Sequence, residues 1–71
     1  MKEYTVIYER GAANWSAYVP DLPGCVAAAE TRQETETLIR EAIQMHVDAM
    51  VEDGDPIPEP TSEAGTVRIS A

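Results

Sequence analysis

Cysteine and histidine are scarce in this chain: Cys25 and His46 are the sole examples of each. One thiol cannot close an internal disulfide, and one thiol with one imidazole falls short of the ligand set of a structural zinc. Cations are scarce too, with five Lys and Arg against thirteen Asp and Glu and a formal net charge of −8. Direct binding to nucleic acid needs basic side chains against the phosphates. Lys2, Arg10, Arg32, Arg40 and Arg68 are too scattered to form such a patch. Long apolar runs are also missing: nothing approaches the roughly 20 residues of a membrane span. The opening "MKEYTVIYER" interrupts any signal-peptide core with charge. These absences lead to the expectation of a cytoplasmic protein with no cofactor, no metal, no membrane contact and no direct contact with nucleic acid.

Bulk is the next shortage. Seventy-one residues make one domain, 1–71, and a chain of that size buries only about 60% of its unfolded surface. Net stability from such a core rarely exceeds roughly 3–5 kcal/mol without a disulfide, a metal or a partner. With the first two excluded, self-association as a dimer or tetramer is expected.

What is present is ordered. "EYTVIYE" alternates and is rich in β-branched and aromatic residues, which predicts a strand. "GAAN" supplies a turn, "WSAYV" a second strand and "CVAAAE" a short third. The period then changes. Thr31 followed by Glu34 forms the pattern of a capping box, in which the glutamate reaches back to the cap. A helix is predicted over 32–53, closed by Gly54 and stopped by Pro56. "DPIPEPTSEAG" is a proline-punctuated connector, and "TVRIS" alternates as a fourth strand. The predicted order is β-β-β-α-β, an α+β domain with one helix packed on one face of a sheet. A right-handed crossover would set strand four parallel to strand three.

At about 100° per residue, Glu34, Glu41, Asp48 and Glu52 share one side of the helix. Leu38, Ile39, Ala42, Ile43, Ala49 and Met50 form the opposing apolar band, with His46 near its middle as a buried, neutral imidazole. Val47 and Val51 lie off the band's edge, and Met45 falls within the acidic side. An acidic stripe is ordinarily a solvated face; it also suits electrostatic docking of a basic partner.

The stretch "NWSAYVPDLPGC" concentrates special residues, yet it lacks the means of catalysis. Asp21 as a general base or Cys25 as a nucleophile would need an activating neighbour, and the one histidine is 21 residues from Cys25. Pro20, Asp21, Pro23 and Gly24 instead read as turn residues, with Cys25 as a small buried hydrophobe. Side-chain alternation sends Trp15 and Tyr18 to opposite faces of strand two, one to the core and one to the uncovered face. Candidate partner-binding residues are therefore Trp15, Tyr18, Asp21, Leu22, Glu41 and Asp48.

The opening strand, Trp15 and Ala17 with "VPDLPGC", "ETRQE" leading into "IREAI", and "EDGDPIPEP" together resemble the HicB family of antitoxins. The likeness runs over residues 4–69. It implies a partial ribonuclease H-like fold, with strand four beside strand one in a four-stranded mixed sheet of order 3-2-1-4. It also implies a partner, the HicA toxin: a small basic protein that cleaves messenger RNA and whose active site the antitoxin masks. Short stand-alone members also occur without a toxin, and the alternative is then an orphan homo-oligomer. Longer family members carry a DNA-binding domain after this one, and none is expected within 1–71. Ala29 stands where the family commonly has glycine and Thr35 where it has alanine, which is expected to alter the start of the helix. A ribonuclease H-type centre needs several carboxylates converging on two Mg²⁺ ions. Glu3 and Glu9 fall at opposite ends of strand one and the helix acids face solvent, so no nuclease activity is expected.

Overall fold

The computed structural model describes residues 2–71. Three strands and one helix follow in chain order: β1 (Ile7–Arg10), β2 (Trp15–Tyr18), β3 (Val26–Ala29) and α1 (Arg32–Asp53). The strands form an antiparallel meander in the order β1-β2-β3.

The expected four-stranded mixed sheet of order 3-2-1-4 does not form. Residues 54–71 contain no strand, so there is no strand four to run parallel to strand three and no crossover. Prolines 56, 58 and 60 keep the connector itself from pairing, and the segment 66–70 beyond it stands in solvent rather than on the sheet. The connector is held instead by side chains. The Tyr4 hydroxyl donates to the Pro58 carbonyl at 2.6 Å, the Thr5 hydroxyl donates to the Ser62 carbonyl at 2.7 Å, and Lys2 pairs with Glu59 at 2.6 Å. Val67 and Ile69, the apolar residues of "TVRIS", are 82% and 73% exposed. β1 is likewise shorter than expected, since residues 3–6 lie outside the ladder. Tyr4 and Val6 nevertheless pack against the core.

The helix has the predicted limits. Thr31 caps it by accepting from the Glu34 amide at 3.1 Å, while its hydroxyl donates to the Glu34 carboxylate at 2.9 Å. Glu34 thus reaches back to the hydroxyl of the cap. At the other end Gly54 adopts φ 74°. Its N–H donates to the Val51 carbonyl and that of Asp55 to the Met50 carbonyl, the Schellman closure.

The buried core consists of Ala17, Val19, Leu22, Cys25 and Ile39. Three of these five lie in the β2–β3 connection, so the loop that looked chemical is the centre of the hydrophobic core. The helix meets the sheet through Thr35, Ile39, Ala42, Ile43 and Val47. That face is rotated from the expected band: Leu38 is 45% exposed, and Ala49 is exposed. His46 is half-buried rather than enclosed; it lines an open groove with Cys25, Val26 and Ala42. Thr35, at a position where alanine was the expectation, is fully buried. Its hydroxyl donates to the Thr31 carbonyl at 2.8 Å and lies 3.5 Å from the Trp15 carbonyl. This hydroxyl joins the first turn of the helix to β2.

Candidate functional site

The residue types of the β2–β3 connection invite a catalytic reading. The connection is two consecutive turns. The Leu22 N–H donates to the Val19 carbonyl and the Cys25 N–H to the Leu22 carbonyl, each at 3.1 Å. The Val19 N–H closes the pair by donating to the Cys25 carbonyl at 3.2 Å. Pro20 and Pro23 each occupy the second position of a turn, where a fixed φ is favourable. Gly24 follows at φ 84°, as a type II turn requires. Leu22 plugs the core with no exposed surface. Burial also pushes the Cys25 thiol up from its ordinary value, which keeps it protonated and poorly nucleophilic.

Asp21 points the other way, towards the connector after the helix. Its carboxylate accepts four hydrogen bonds: from the Thr61 amide at 3.0 Å and hydroxyl at 3.1 Å, and from the Ser62 amide at 3.0 Å and hydroxyl at 2.9 Å. The Ser62 amide contributes most to holding this carboxyl below its ordinary value. Partial burial acts against that shift, and the other three donors reinforce it. A carboxylate so occupied is a clamp on the chain rather than a base. Among the described residues, no three His, Cys, Asp or Glu side chains gather to hold a metal ion.

The six candidate partner-binding residues do not form one surface. Register fixes the faces of the sheet: Tyr8, Ala17 and Ala27 are paired across it, as are Ile7, Tyr18 and Val26. Ala17 is buried beneath the helix, so the Ile7, Tyr18 and Val26 row lies on the open face. Tyr18 is 41% exposed there. Trp15 falls on the helix side of the sheet, half-buried at its end, with the Arg10 guanidinium 5.9 Å from its ring centroid. Asp21 is clamped, and Leu22 is core. Glu41 and Asp48 are exposed on the helix, on the side turned away from the sheet.

That outer helix face has its own composition. Glu34, Leu38, Glu41, Met45, Asp48 and Glu52 recur at steps of four and three, so they line one side over about 27 Å. Leu38 is 45% exposed and Met45 72% exposed. The helix's own cations are engaged elsewhere. Arg32 and Arg40 both pair with Glu36, at 3.5 and 3.1 Å, and Arg32 also lies 4.0 Å over the Tyr8 ring. Among the described residues the acids of the outer face have no ion-pair partner, although Gln44 donates to Asp48 at 2.8 Å. The arrangement is two apolar anchors framed by uncompensated negative charge. Sequence reading found the acids but assigned Leu38 to the core; the four-three spacing that joins it to them was the available signal. The Asp21 clamp carried no such signal, because its partners lie 40 residues away.

The family model described as HicB_like antitoxin of bacterial toxin-antitoxin system matches residues 4–68. The uncharacterized 14.9 kDa protein in the rep-hol intergenic region of Haemophilus phage HP1 is 34% identical over 56 residues, 79% of this chain and 42% of that protein. The chain thus spans under half the length of the phage relative. UPF0150 protein Ta0767 of Thermoplasma acidophilum is 32% identical over 66 residues, 92% of this chain and 96% of that one. Among solved structures, a chain of a HicA3 and HicB3 toxin-antitoxin complex superimposes with a TM-score of 0.69 and 27% identity. That superposition covers 84% of this chain and 70% of the other.

Proposed function

The chain belongs to the HicB_like antitoxin family of bacterial toxin-antitoxin systems, and from that premise we propose that it binds a HicA-like toxin and occludes its active site. The observation that carries this reading is the outer face of α1, where acids with no ion-pair partner among the described residues frame the exposed Leu38 and Met45. A small basic protein meets that face with charge of the opposite sign, which speeds encounter. The two apolar side chains then supply area that loses its water on contact, as the centre of a protein interface does. Glu41 and Asp48 are the partner-binding residues in this reading. Neutralisation proceeds by covering the toxin, not by chemistry on RNA, and takes place in the cytoplasm, where toxin and messenger RNA meet.

The test is reconstitution. The chain is co-expressed with a tagged HicA-like toxin, and cleavage of a reporter messenger RNA is followed. The expected result is a complex that survives purification and a reporter that stays intact. A toxin that cleaves equally well with or without the chain, and elutes alone, overturns the reading.

A further inference from the structure

The methionines of the chain are residues 1, 45 and 50, and the structure sets the two it describes apart. Met45 is 72% exposed at the middle of the outer face of α1, with Glu41 one turn before it and Asp48 one turn after. Met50 is half-buried. An exposed thioether is open to two-electron oxidants, which turn a flexible apolar side chain into a polar one. The thiol that would ordinarily compete for such an oxidant is withdrawn. Cys25 is 3% exposed, and burial holds it in the protonated form, whereas the thiolate is the form that reacts.

The outer face offers few apolar contacts to lose. In the row Glu34, Leu38, Glu41, Met45, Asp48 and Glu52, the thioether is one of two apolar anchors and every other member is an acid. An apolar side chain at the centre of an interface seats against apolar surface. A sulfoxide oxygen placed there would give up its water without gaining a donor. Donors are short on the antitoxin's own side as well, since the Gln44 amide already donates to Asp48.

We propose that Met45 is an oxidation switch on toxin capture: peroxide converts it to the sulfoxide, and the modified antitoxin releases a HicA-like toxin faster. The switch rests on the reading that the outer face of α1 is the toxin-binding surface. In the step, the sulfur lone pair attacks one peroxide oxygen, the O–O bond breaks, and the departing hydroxide takes up the proton of the transferred oxygen. The products are methionine sulfoxide and water; sulfur gives up two electrons and the peroxide accepts them. Capture covers Met45, so oxidation falls on the free antitoxin and a bound toxin shields it. A methionine sulfoxide reductase with a dithiol restores the thioether.

The experiment treats the full chain with hydrogen peroxide, removes the peroxide, and presents the chain to untreated HicA-like toxin on a surface. Fragment-ion mass spectrometry should find the added oxygen on Met45 before Met50, and circular dichroism should find the helix unchanged. The oxidised chain should dissociate roughly tenfold faster than the untreated one, and reductase treatment should restore the slower rate. Met50→Leu should respond to peroxide as the wild type does. In Met45→Leu the rates before and after peroxide should coincide, whatever that variant's starting rate. Oxidation of Met50 first, or a peroxide response that survives in Met45→Leu, would overturn the switch. If oxidation changes neither rate while Glu41→Lys/Asp48→Lys slows capture, the switch fails and the docking reading holds. If neither oxidation nor charge reversal changes a rate, or no toxin is captured, the docking reading fails and the switch with it.

Discussion

The Asp21 carboxylate accepts hydrogen bonds from both the amide and the hydroxyl of Ser62, at 3.0 and 2.9 Å, across 41 positions of sequence. With the matching pair from Thr61, one side chain fastens the β2–β3 loop to the segment after the helix. This bond depends on charge. The carboxyl lies below its ordinary 3.8 in the folded protein, chiefly through the Ser62 amide. A depressed folded value means that its contribution to stability is present above the unfolded value and is lost as pH falls through the folded one. NMR titration should therefore show the Thr61 and Ser62 amide shifts moving together, with a midpoint below 3.8. Asp21→Ala should speed hydrogen exchange at those two amides at neutral pH while leaving the helix protected. Unchanged exchange would show that the clamp does not hold the segment.

Gly24 makes a second prediction, because its role is conformational alone. A Cβ at this position would meet nothing within 4 Å, yet the backbone sits at φ 84°. Gly24→Ala should cost roughly 1–2 kcal/mol, the ordinary penalty of placing an L side chain in the left-handed region. Gly65, which has equal space and no positive φ, serves as the control. Gly65→Ala should leave the urea midpoint unmoved. Equal midpoints for the two variants would mean that the turn does not hold Gly24 in this geometry.

These two residues show what the sequence made legible and what it did not. Local signals held: Thr31 and Gly54 bound the helix, and the Pro-Gly pair at 23 and 24 marks a turn. Each acts over four or five residues, so neighbouring sequence contains the whole interaction. Signals that needed tertiary context failed. "TVRIS" alternates like a strand, but alternation states only that the segment could pair, and none of the described residues pairs with it as a strand. His46 shares the angular position of Thr35 and Ile39, but it lies roughly two to three turns further along the helix, where the groove beside Cys25 and Val26 is open, so its angle did not decide its burial. The rotation of the packed face turned Leu38 from expected core into surface. Of the candidate site, the acids were legible because charge excludes them from a core. Of their apolar companions Met45 was legible by its angle on the acidic side, while Leu38 was not, because it lies at the boundary between the acidic side and the apolar band.

Leucines 22 and 38 put that rotation to a measurement. Leu22 has no exposed surface and Leu38 is 45% exposed. Leu22→Ala should lose about 2–5 kcal/mol through lost burial and the cavity left behind. In a domain whose whole margin is about 3–5 kcal/mol, that variant should be largely unfolded on its own. Leu38→Ala should stay within about 0.5 kcal/mol of wild type, as surface changes do. Thermal unfolding of the two variants side by side decides the matter, and a strongly destabilised Leu38→Ala would return that residue to the core.

The outer face of α1 predicts a division of labour in toxin binding. Exposed charges at an interface act mainly on encounter, through a field that reaches about 8 Å at physiological salt. Buried apolar contacts act mainly on escape. Glu41→Lys/Asp48→Lys reverses two charges that have no ion-pair partner among the described residues and that face away from the sheet. It should leave stability near wild type, slow association with a HicA-like toxin by about tenfold or more at low salt, and flatten the salt dependence of the association rate. Leu38→Ala/Met45→Ala should instead leave the association rate within about threefold and speed dissociation, because orientation and steering are intact while apolar area at the contact is lost. Surface-bound toxin and a salt series separate the two rates. If the charge reversal changes neither rate while Tyr18→Ala on the open sheet face accelerates dissociation, the toxin seats on the sheet and the helix stripe is a solvated face.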